Sequence, residues 1–383
     1  RPWFRLRAAN ADMMADADVK AWLYDVERRM RDIFDGSNIY NVLEAMYAEV
    51  GVFGTAACFL LEDDETIVRA VPLTIGEYGL AQSARLTIDT LTRSMQLTVA
   101  QLVEMFGYDA VSENVQSLWD QGKLDEWIEV AHLVEPNRQS DDTPPLTDKP
   151  FRSVYWEVAS ASDRVLRVSG FDSFPVLAPR WDVTGTDIYG RSPGMDALGD
   201  VKQLQIQERR KAQAIDKKIT PPMKASTQLR NKQASLLPGG VTYVDSVAGA
   251  VGFEPVHEVN LSIAELAADM EETRQRIWST FYADLFLMIS SSSRRQITAR
   301  EIDERHEEKL LGLGPVLERL NDELLNPMID RVFAIMVRRG LVPPPPELLA
   351  GQPLQVEFTS SLAQAQKAIA TQSIERFTGF VGT

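Results

Sequence analysis

Cysteine, histidine and long apolar runs are what this sequence has least of. Cys58 is the single cysteine of 383 residues, which excludes a disulfide framework and a cluster of thiolate metal ligands. The three histidines include His306, but Leu310 stands where a zinc-binding H-E-x-x-H helix needs its second histidine. No run of about eighteen apolar residues occurs. We therefore expect no metal site and no transmembrane helix.

Catalytic machinery is equally scarce. No G-x-x-x-x-G-K-[ST] loop occurs, so we expect no nucleotide hydrolysis, no cofactor and no catalytic residue. Cys58 lies in the apolar run from Ala56 to Leu61, which favours a buried structural thiol over a nucleophile. The first ten residues lack an initiator Met and an apolar signal core, which is typical of the interior of a longer chain.

The net charge is strongly acidic. At −15, with a pI near 4.8, the chain is unlike a free-standing nucleic-acid binder, which carries a basic surface. A surface that DNA slides past is still compatible with this charge, because tight phosphate contacts would hold the duplex in place. The charge is also uneven, since residues 202–232 contain nine Lys or Arg and two acids.

The basic region begins on a predicted helix over 195–219, with Leu198, Val201, Ile215 and Ile219 as its apolar stripe. Its cations pair with acids of neighbouring helices, within one subunit or across an interface, or they face a nucleic-acid polyanion. The acids considered are Glu265, Asp269, Glu271 and Glu272. The candidate cations are Arg209, Arg210, Lys211, Lys217, Lys218, Lys224 and Arg230.

The first half of the chain reads as an α+β domain. Asn38 restarts a helix after the first one, and Thr98 with Gln101 forms a capping box. Another helix begins at Ser112. The predicted helices cover 12–35, 38–50, 98–106 and 112–119, and the predicted strands cover 52–61, 66–73, 127–134, 152–158, 164–169 and 174–183.

The second half is mostly helical. A strand-like stretch over 223–260 separates the basic helix from a helix over 262–288. A long helix over 298–339 has one apolar face, and Gly312, Gly314 and Pro315 are expected to bend it. Beyond Pro343–Pro346 follow a strand over 354–358 and a last helix from Ser361.

A polar loop precedes the long helix. Such a loop is usually a connector, but two arginines at its end are suited to touching phosphates. We treat it as a candidate site; it consists of Ser290, Ser291, Ser292, Ser293, Arg294, Arg295 and Gln296.

One motif points to hydrolysis. Residues 190–194 fit the G-x-S-x-G nucleophile elbow around Ser192, with His257 and His306 downstream. The residue after the nucleophile must lend its N–H to the oxyanion hole, and here it is Pro193, which has none. Proline also suits the first turn of a helix. A structural turn is favoured, and a serine hydrolase stays the alternative.

The sequence resembles the portal, or head-to-tail connecting, proteins of short-tailed bacteriophages. Ser192 departs from the family's turn, where glycine is expected. The likeness runs through nearly the whole chain in the order RPWFRL, WLYDVERRM, FGTAA, HLVEPNR, RWDVTGTDIYGRSPGMDALGDVKQLQ, TAREIDERHEEKLLGLGPVLERLNDELL and QVEFTSSLAQAQKA.

The resemblance implies an α+β, mainly helical portal fold that forms a ring, typically of twelve copies, around a channel for double-stranded DNA. The implied parts are an α/β wing at 1–190, a first stem helix at 191–221, a clip at 222–261, a second stem helix at 262–289, a channel loop at 290–297, a long bent helix at 298–340, and a connector, strand and start of the crown at 341–383.

The same resemblance implies the partners and the location. They are other copies of the chain, double-stranded DNA, a terminase motor, a tail adaptor and the capsid protein, at the portal vertex of a virion assembled in the host cytoplasm. No membrane is implied. An unrelated structural scaffold is the further alternative.

Overall fold

The structure is a computed structural model that divides into two compact units. The first unit joins Arg1–Met195 to Asp284–Thr383, and the second is Asp196–Ala283. The described residues are 3–8, 10, 12–137, 148–158, 165–219, 223–224, 254–255, 263–283, 287, 313–349, 351–352 and 354–358.

The first unit begins with a strand and two helices. β1 (Phe4–Ala8) precedes α1 (Ala17–Gly36) and α2 (Ile39–Phe53), and both predicted helices are confirmed. The Asp16 carboxylate accepts hydrogen bonds from two backbone N–H groups of the first turn of α1, which fixes where that helix begins. The buried side of α1 carries Val19, Leu23, Val26, Met30, Ile33 and Phe34.

A three-stranded antiparallel sheet follows α2. It consists of β2 (Ala57–Asp63), β3 (Ile67–Leu73) and β9 (Val176–Leu177), in the order β3-β2-β9. The predicted strand at 52–61 is wrong at its start, because α2 continues to Phe53. The predicted strand at 174–183 shrinks to β9, since the prolines at 175 and 179 have no N–H for a ladder.

The larger sheet is five-stranded and antiparallel. In order it contains β4 (Tyr78–Gln82), β5 (Ile88–Thr98), β6 (Trp127–Pro136), β7 (Phe151–Glu157) and β8 (Val165–Phe171). The last three were predicted. The β4–β5 hairpin was not, because threonines and charged residues interrupt its apolar positions. The first unit is therefore an α+β unit, as predicted for the first half of the chain, with one hairpin more than was predicted.

Two short helices cover one part of this sheet. α3 (Val99–Phe106) starts with the predicted capping box of Thr98 and Gln101, and α4 (Glu113–Asp120) starts at the predicted cap Ser112. Their apolar sides join the sheet in one buried cluster, which supports the two predicted helix starts. The cluster comprises Val99, Leu102, Val111, Val115, Val130, Tyr155 and Leu166.

The long predicted helix is described from residue 313 onward. Residues 313–320 are helical, so Gly314 and Pro315 lie inside a helical stretch, and 298–312 lie outside the described residues. A π-helical turn follows at Asn321–Leu325, before α7 (Asn326–Arg338). The π-helical turn was not predicted from the sequence. Its signal is Pro327, which has no N–H to continue the helical hydrogen bonds immediately after the turn.

The buried face of this helix confirms the predicted apolar stripe. Gly340, with φ +68°, ends the helix. The stripe packs into the largest core cluster, together with α1, α2 and the three-stranded sheet. The helix contributes to that cluster Leu324, Met328, Ile329, Val332, Ile335 and Met336.

The two ends of the described chain meet in a small sheet. The predicted strand at 354–358 is β12 (Leu354–Phe358), and it pairs antiparallel with β1. Trp3 stacks on Phe358 with ring centroids 6.2 Å apart. The first unit is thus closed by residues more than 300 positions apart in sequence.

The second unit contains a helical pair and a short ladder. α5 (Pro193–Ile219) begins in sequence where the first segment of the first unit ends, and α6 (Ile263–Thr280) precedes the second segment of that unit. β10 (Met223–Lys224) and β11 (Glu254–Pro255) pair antiparallel between the two helices in sequence. The helix predicted at 195–219 is confirmed. The helix predicted at 262–288 is confirmed over Ile263–Thr280 but is wrong at its end, because residues 281 and 282 form a turn in which Tyr282 has φ +55°.

Two glycines near the end of α2 provide a matched test of this packing. Gly54 has φ +80°, and a Cβ there would lie 2.2 Å from the Gly190 carbonyl oxygen. A Cβ on Gly51 meets nothing within 4 Å. We expect Gly54→Ala to lower the free energy of unfolding by at least about 2 kcal/mol. Gly51→Ala should raise it by about 0.5–1 kcal/mol, measured by urea denaturation. Equal effects would contradict the close approach.

Candidate nucleic-acid and subunit interface

Part of the predicted interface lies outside the described residues. This holds for the whole loop from Ser290 to Gln296 and for Arg230. The two downstream histidines of the hydrolase alternative, His257 and His306, also lie outside the described residues. Lys224 belongs to β10, for which the structure describes the backbone. The phosphate-contacting role of the loop arginines therefore stays a prediction.

The cations of α5 are described. Arg209, Arg210, Lys217 and Lys218 are exposed, and Lys211 is half-buried. The predicted apolar stripe is wrong at Leu198 and Ile219, which are 48% and 73% exposed. The sheltered side instead contains Ala197, Leu204 and Gln207, interleaved with charged residues.

Polar contacts join α5 to α6. The Gln207 amide donates a hydrogen bond to Asp269, and Arg274 pairs with Glu208. Arg276 Nη2 lies 3.2 Å from Asp200 Oδ1. In the described part of the chain, these ion pairs place the acid on α5 and the arginine on α6. Their polarity is opposite to that expected for pairing within one subunit.

The G-x-S-x-G turn serves packing. Ser192 is 1% exposed; its hydroxyl donates to the Val52 carbonyl oxygen at 2.6 Å and accepts from the Met195 N–H at 3.0 Å. A nucleophile elbow exposes its serine, whereas this one is buried and caps α5. A Cβ on Gly190 would lie 2.2 Å from the Gly54 oxygen, so the turn is tight despite Ser192.

A second serine and histidine meet inside the large sheet. His132 Nε2 lies 2.9 Å from Ser153 Oγ, and Arg93 Nε donates to His132 Nδ1 at 3.2 Å. Because Nδ1 accepts, the proton of the neutral ring is on Nε2, and His132 cannot take a proton from the serine. Burial, with Arg93 and Arg167 nearby, lowers the pKa of His132 to about 3. The pair is structural.

A buried arginine joins three segments of the first unit. Arg180 is 5% exposed, and its backbone N–H and guanidinium both donate to the Glu323 carboxylate in the π-helical turn, with Nη2–Oε1 at 2.5 Å. The guanidinium also donates to the carbonyl oxygens of Leu86 and Ile188, at 3.2 and 3.3 Å. The π-helical turn is thereby fixed against the sheet.

Arg331 plays a similar part on α7. Its Nε donates to the Leu60 carbonyl oxygen at 2.6 Å, and Nη1 donates to Ser173 Oγ at 2.7 Å. Burial lowers the pKa of Arg331 to about 10. The sequence reading missed both arginines. The available signals were a cation on the apolar face of a helix and an arginine beside Pro179 at the end of a strand.

A groove of about 500 Å³ lies between β1 and α1. Arg5, Arg7, Lys20 and Arg31 line it around Glu27, whose Oε1 accepts from the Leu6 N–H at 2.7 Å. Burial raises the pKa of Glu27. Glu27 is the acidic residue of this lining, and its hydrogen bond to Leu6 fastens the first strand to the first helix.

The described residues contain neither a candidate metal site nor a candidate membrane-spanning helix. No group of three His, Cys, Asp or Glu side chains among them is arranged to hold a metal ion. None of their helices is both long and apolar enough to cross a bilayer. Cys58 is buried as predicted, and burial raises the pKa of its thiol to about 12.

The described polar groups cap helices and fasten segments together, and the described part of the chain has an α+β fold. The profile of the bacteriophage head to tail connecting proteins matches residues 1–383. The portal protein of Salmonella phage epsilon15 is 50% identical over 384 positions, covering 100% of this chain and 69% of that protein. The probable portal protein of Bordetella phage BPP-1 is 48% identical over 385 positions, with the same coverages. The chain belongs to the head-to-tail connecting protein family.

The buried Ser192 makes a direct prediction. In the native protein, an activated-serine probe should leave Ser192 unlabelled. Ser192→Ala should lower the free energy of unfolding by about 1 kcal/mol, because α5 loses its cap. Ser117→Ala, on the exposed side of α4, is the control and should change it by less than about 0.5 kcal/mol. Specific labelling that disappears in Ser192→Ala would revive the hydrolase.

Proposed function

We propose that this chain is a portal subunit. Copies form a ring at one capsid vertex, conduct double-stranded DNA during packaging and ejection, and offer a docking platform to the packaging motor and the tail. The observation that carries the proposal is the match to two phage portal proteins along the whole chain, at 50% and 48% identity.

The parts of the portal are proposed with the boundaries that the sequence suggests. Residues 1–190 and 298–383 form the wing, the long helix and the beginning of the crown, and 191–289 form the two stem helices with the clip between them. The division into compact units supports this grouping, because Asp196–Ala283 separates from the two flanking segments. The channel loop at 290–297 follows the second stem helix.

The charge of the chain supports a conduit that does not grip DNA. With a net charge of −15, the walls are mostly anionic, and the duplex meets repulsion and a water layer. Isolated cations at Arg294 and Arg295 supply weak, rapidly exchanged phosphate contacts that centre it. No residue reads bases, and the motive force comes from a separate ATPase. The chain itself is not an enzyme and needs no cofactor.

The proposed partners are those of a portal vertex. They are about eleven further copies of the chain, double-stranded DNA, a terminase motor, a tail adaptor and the capsid protein. The proposed location is the virion, after assembly in the host cytoplasm. The hydrolase alternative loses its support, because the Ser192 hydroxyl is buried and both donates a hydrogen bond to and accepts one from the backbone.

Replacing the loop cations tests the conduit. In the full-length protein, the double variant Arg294→Ala/Arg295→Ala should assemble normally and yield particles with less packaged or retained DNA, because phosphate contacts are lost. Ser291→Ala/Ser292→Ala in the same loop is the control and should leave the DNA content unchanged. Native mass measurement of each variant checks ring assembly.

Two outcomes contradict the proposal in different ways. Full DNA content in Arg294→Ala/Arg295→Ala rings shows that the loop does not contact DNA. A wild-type protein that forms no closed ring of about a dozen copies overturns the portal function itself.

A further inference from the structure

We propose that the basic outer face of α5 packs against the acidic outer face of α6 from a second copy of this chain. The inference rests on the proposed ring and assigns a subunit-contact role to the α5 cations, in place of DNA binding. The interface is a head-to-tail contact between neighbouring helical pairs, centred on Ile206 of one copy and Glu271 of the next.

The first argument is the register of the two helices. Asp200 contacts Arg276, whereas Gln207, farther along α5, contacts Asp269, earlier on α6. The helices are therefore antiparallel. The same register brings Glu271 and Glu272 level with Ile206, between Lys202 and Arg209. At an axial rise of about 1.5 Å per residue, each of these cations is within about 6 Å of the acidic level. Opposite charges thus stand at one height on the two helices.

The second argument is that five exposed cations of α5 have no ion-pair partner among the described residues. Lys202, Arg209, Arg210, Lys217 and Lys218 are exposed. No ion pair recorded in the described ranges of the chain includes any of these five side chains. The α5 charges that do pair with α6 are acids, Asp200 and Glu208. The outer face of α5 therefore carries a row of exposed cations that a binding partner can contact.

The third argument is that α6 offers the matching acids. The side chains of Glu271 and Glu272 are 59% and 71% exposed. Their contacts are to Arg274 at 3.4 Å and Arg276 at 3.2 Å on the same helix, and surface pairs of this kind contribute little. Both arginines also contact acids of α5. Glu271 and Glu272 are thus available to a cation from outside the subunit.

Apolar side chains accompany the charges. Ile206 is 51% exposed and lies between Lys202 and Arg209 on α5, and Leu198 is 48% exposed on the same helix. Trp278, on α6, is 59% exposed. Contact with another copy would bury such side chains, whereas a DNA phosphate row would not. A polyanion at this height would also meet Glu271 and Glu272. The occupant that fits is a protein surface with acids on it, which α6 provides.

The two surfaces differ, so the contact is heterologous. One copy contributes α5 and its neighbour contributes α6, which leaves each copy with one unused face of each kind. Repetition of such a contact closes into a ring when the rotation per copy divides the circle. The complementary charges would set the order and orientation of copies.

Charge reversal in the full-length protein tests the interface. The first variant is Lys202→Glu/Arg209→Glu, and the second is Glu271→Arg/Glu272→Arg. Each alone should lower the fraction of ring at a fixed concentration at least about tenfold, measured by native mass, because like charges face each other at every contact. Arg85→Glu/Lys123→Glu, which reverses two exposed cations of the first unit, is the charge-matched control and should form rings normally.

Mixing provides the decisive arm. In an equimolar mixture of the two variants, every contact in an alternating ring joins opposite charges, so rings should return and contain both variants in equal numbers. Rings formed equally well by each variant alone, or no rescue on mixing, would overturn this interface while the portal function stands. Absence of rings from the wild-type protein would instead remove the function on which the inference rests. Circular dichroism of each variant checks that the helices are retained.

Discussion

The first unit depends on a buried charge interaction between distant parts of the chain. Arg180 follows the early strands, Glu323 lies in the late helix, and their side chains meet where both are largely withdrawn from water. Such a pair is costly to break, because either partner left alone is a desolvated charge. The same guanidinium also engages carbonyl oxygens of the β4–β5 turn and of the loop before Gly190. Arg331, on α7, likewise joins distant segments, through hydrogen bonds to the Leu60 carbonyl oxygen and the Ser173 hydroxyl.

This constraint explains how the chain is organised. The second unit is inserted in the sequence between Met195 and Asp284. The two segments that flank it must therefore pack together before the first unit is complete. The β1–β12 pairing and the stripe on α7 supply the apolar part of that closure. The buried arginines supply its directional part, since hydrogen bonds specify one register where apolar contact tolerates several.

Charge has two different tasks in this protein. Inside the first unit, cations are buried against carbonyl oxygens and a carboxylate, and they hold segments together. On α5 the cations are exposed, and they lie at the same level along the helix pair as the exposed acids of α6. An acidic chain with local basic faces suits a proposed ring that must bind itself without binding the DNA inside it.

Local signals were enough to predict much of the fold. The capping box of α3, the helix α1, the apolar face of α7 and strands β6 to β8 could be predicted because their information lies within a few turns of the chain. The β4–β5 hairpin could not, since its alternation mixes threonine and charge and is stabilised by pairing with β6. The roles of Arg180 and Arg331 could not be predicted, because their hydrogen-bond partners lie 143 and 271 positions away in sequence. The polarity of the α5–α6 contacts likewise depends on register, which composition does not encode.

The most direct test of the central claim is a double-mutant cycle on Arg180 and Glu323. If their contact closes the first unit, Arg180→Met and Glu323→Gln should each lower the free energy of unfolding by about 3 kcal/mol, and the double variant should lose little more than either alone. Losses that simply add would show that the two side chains act independently, and would contradict an account in which one buried pair joins the early sheet to the late helix.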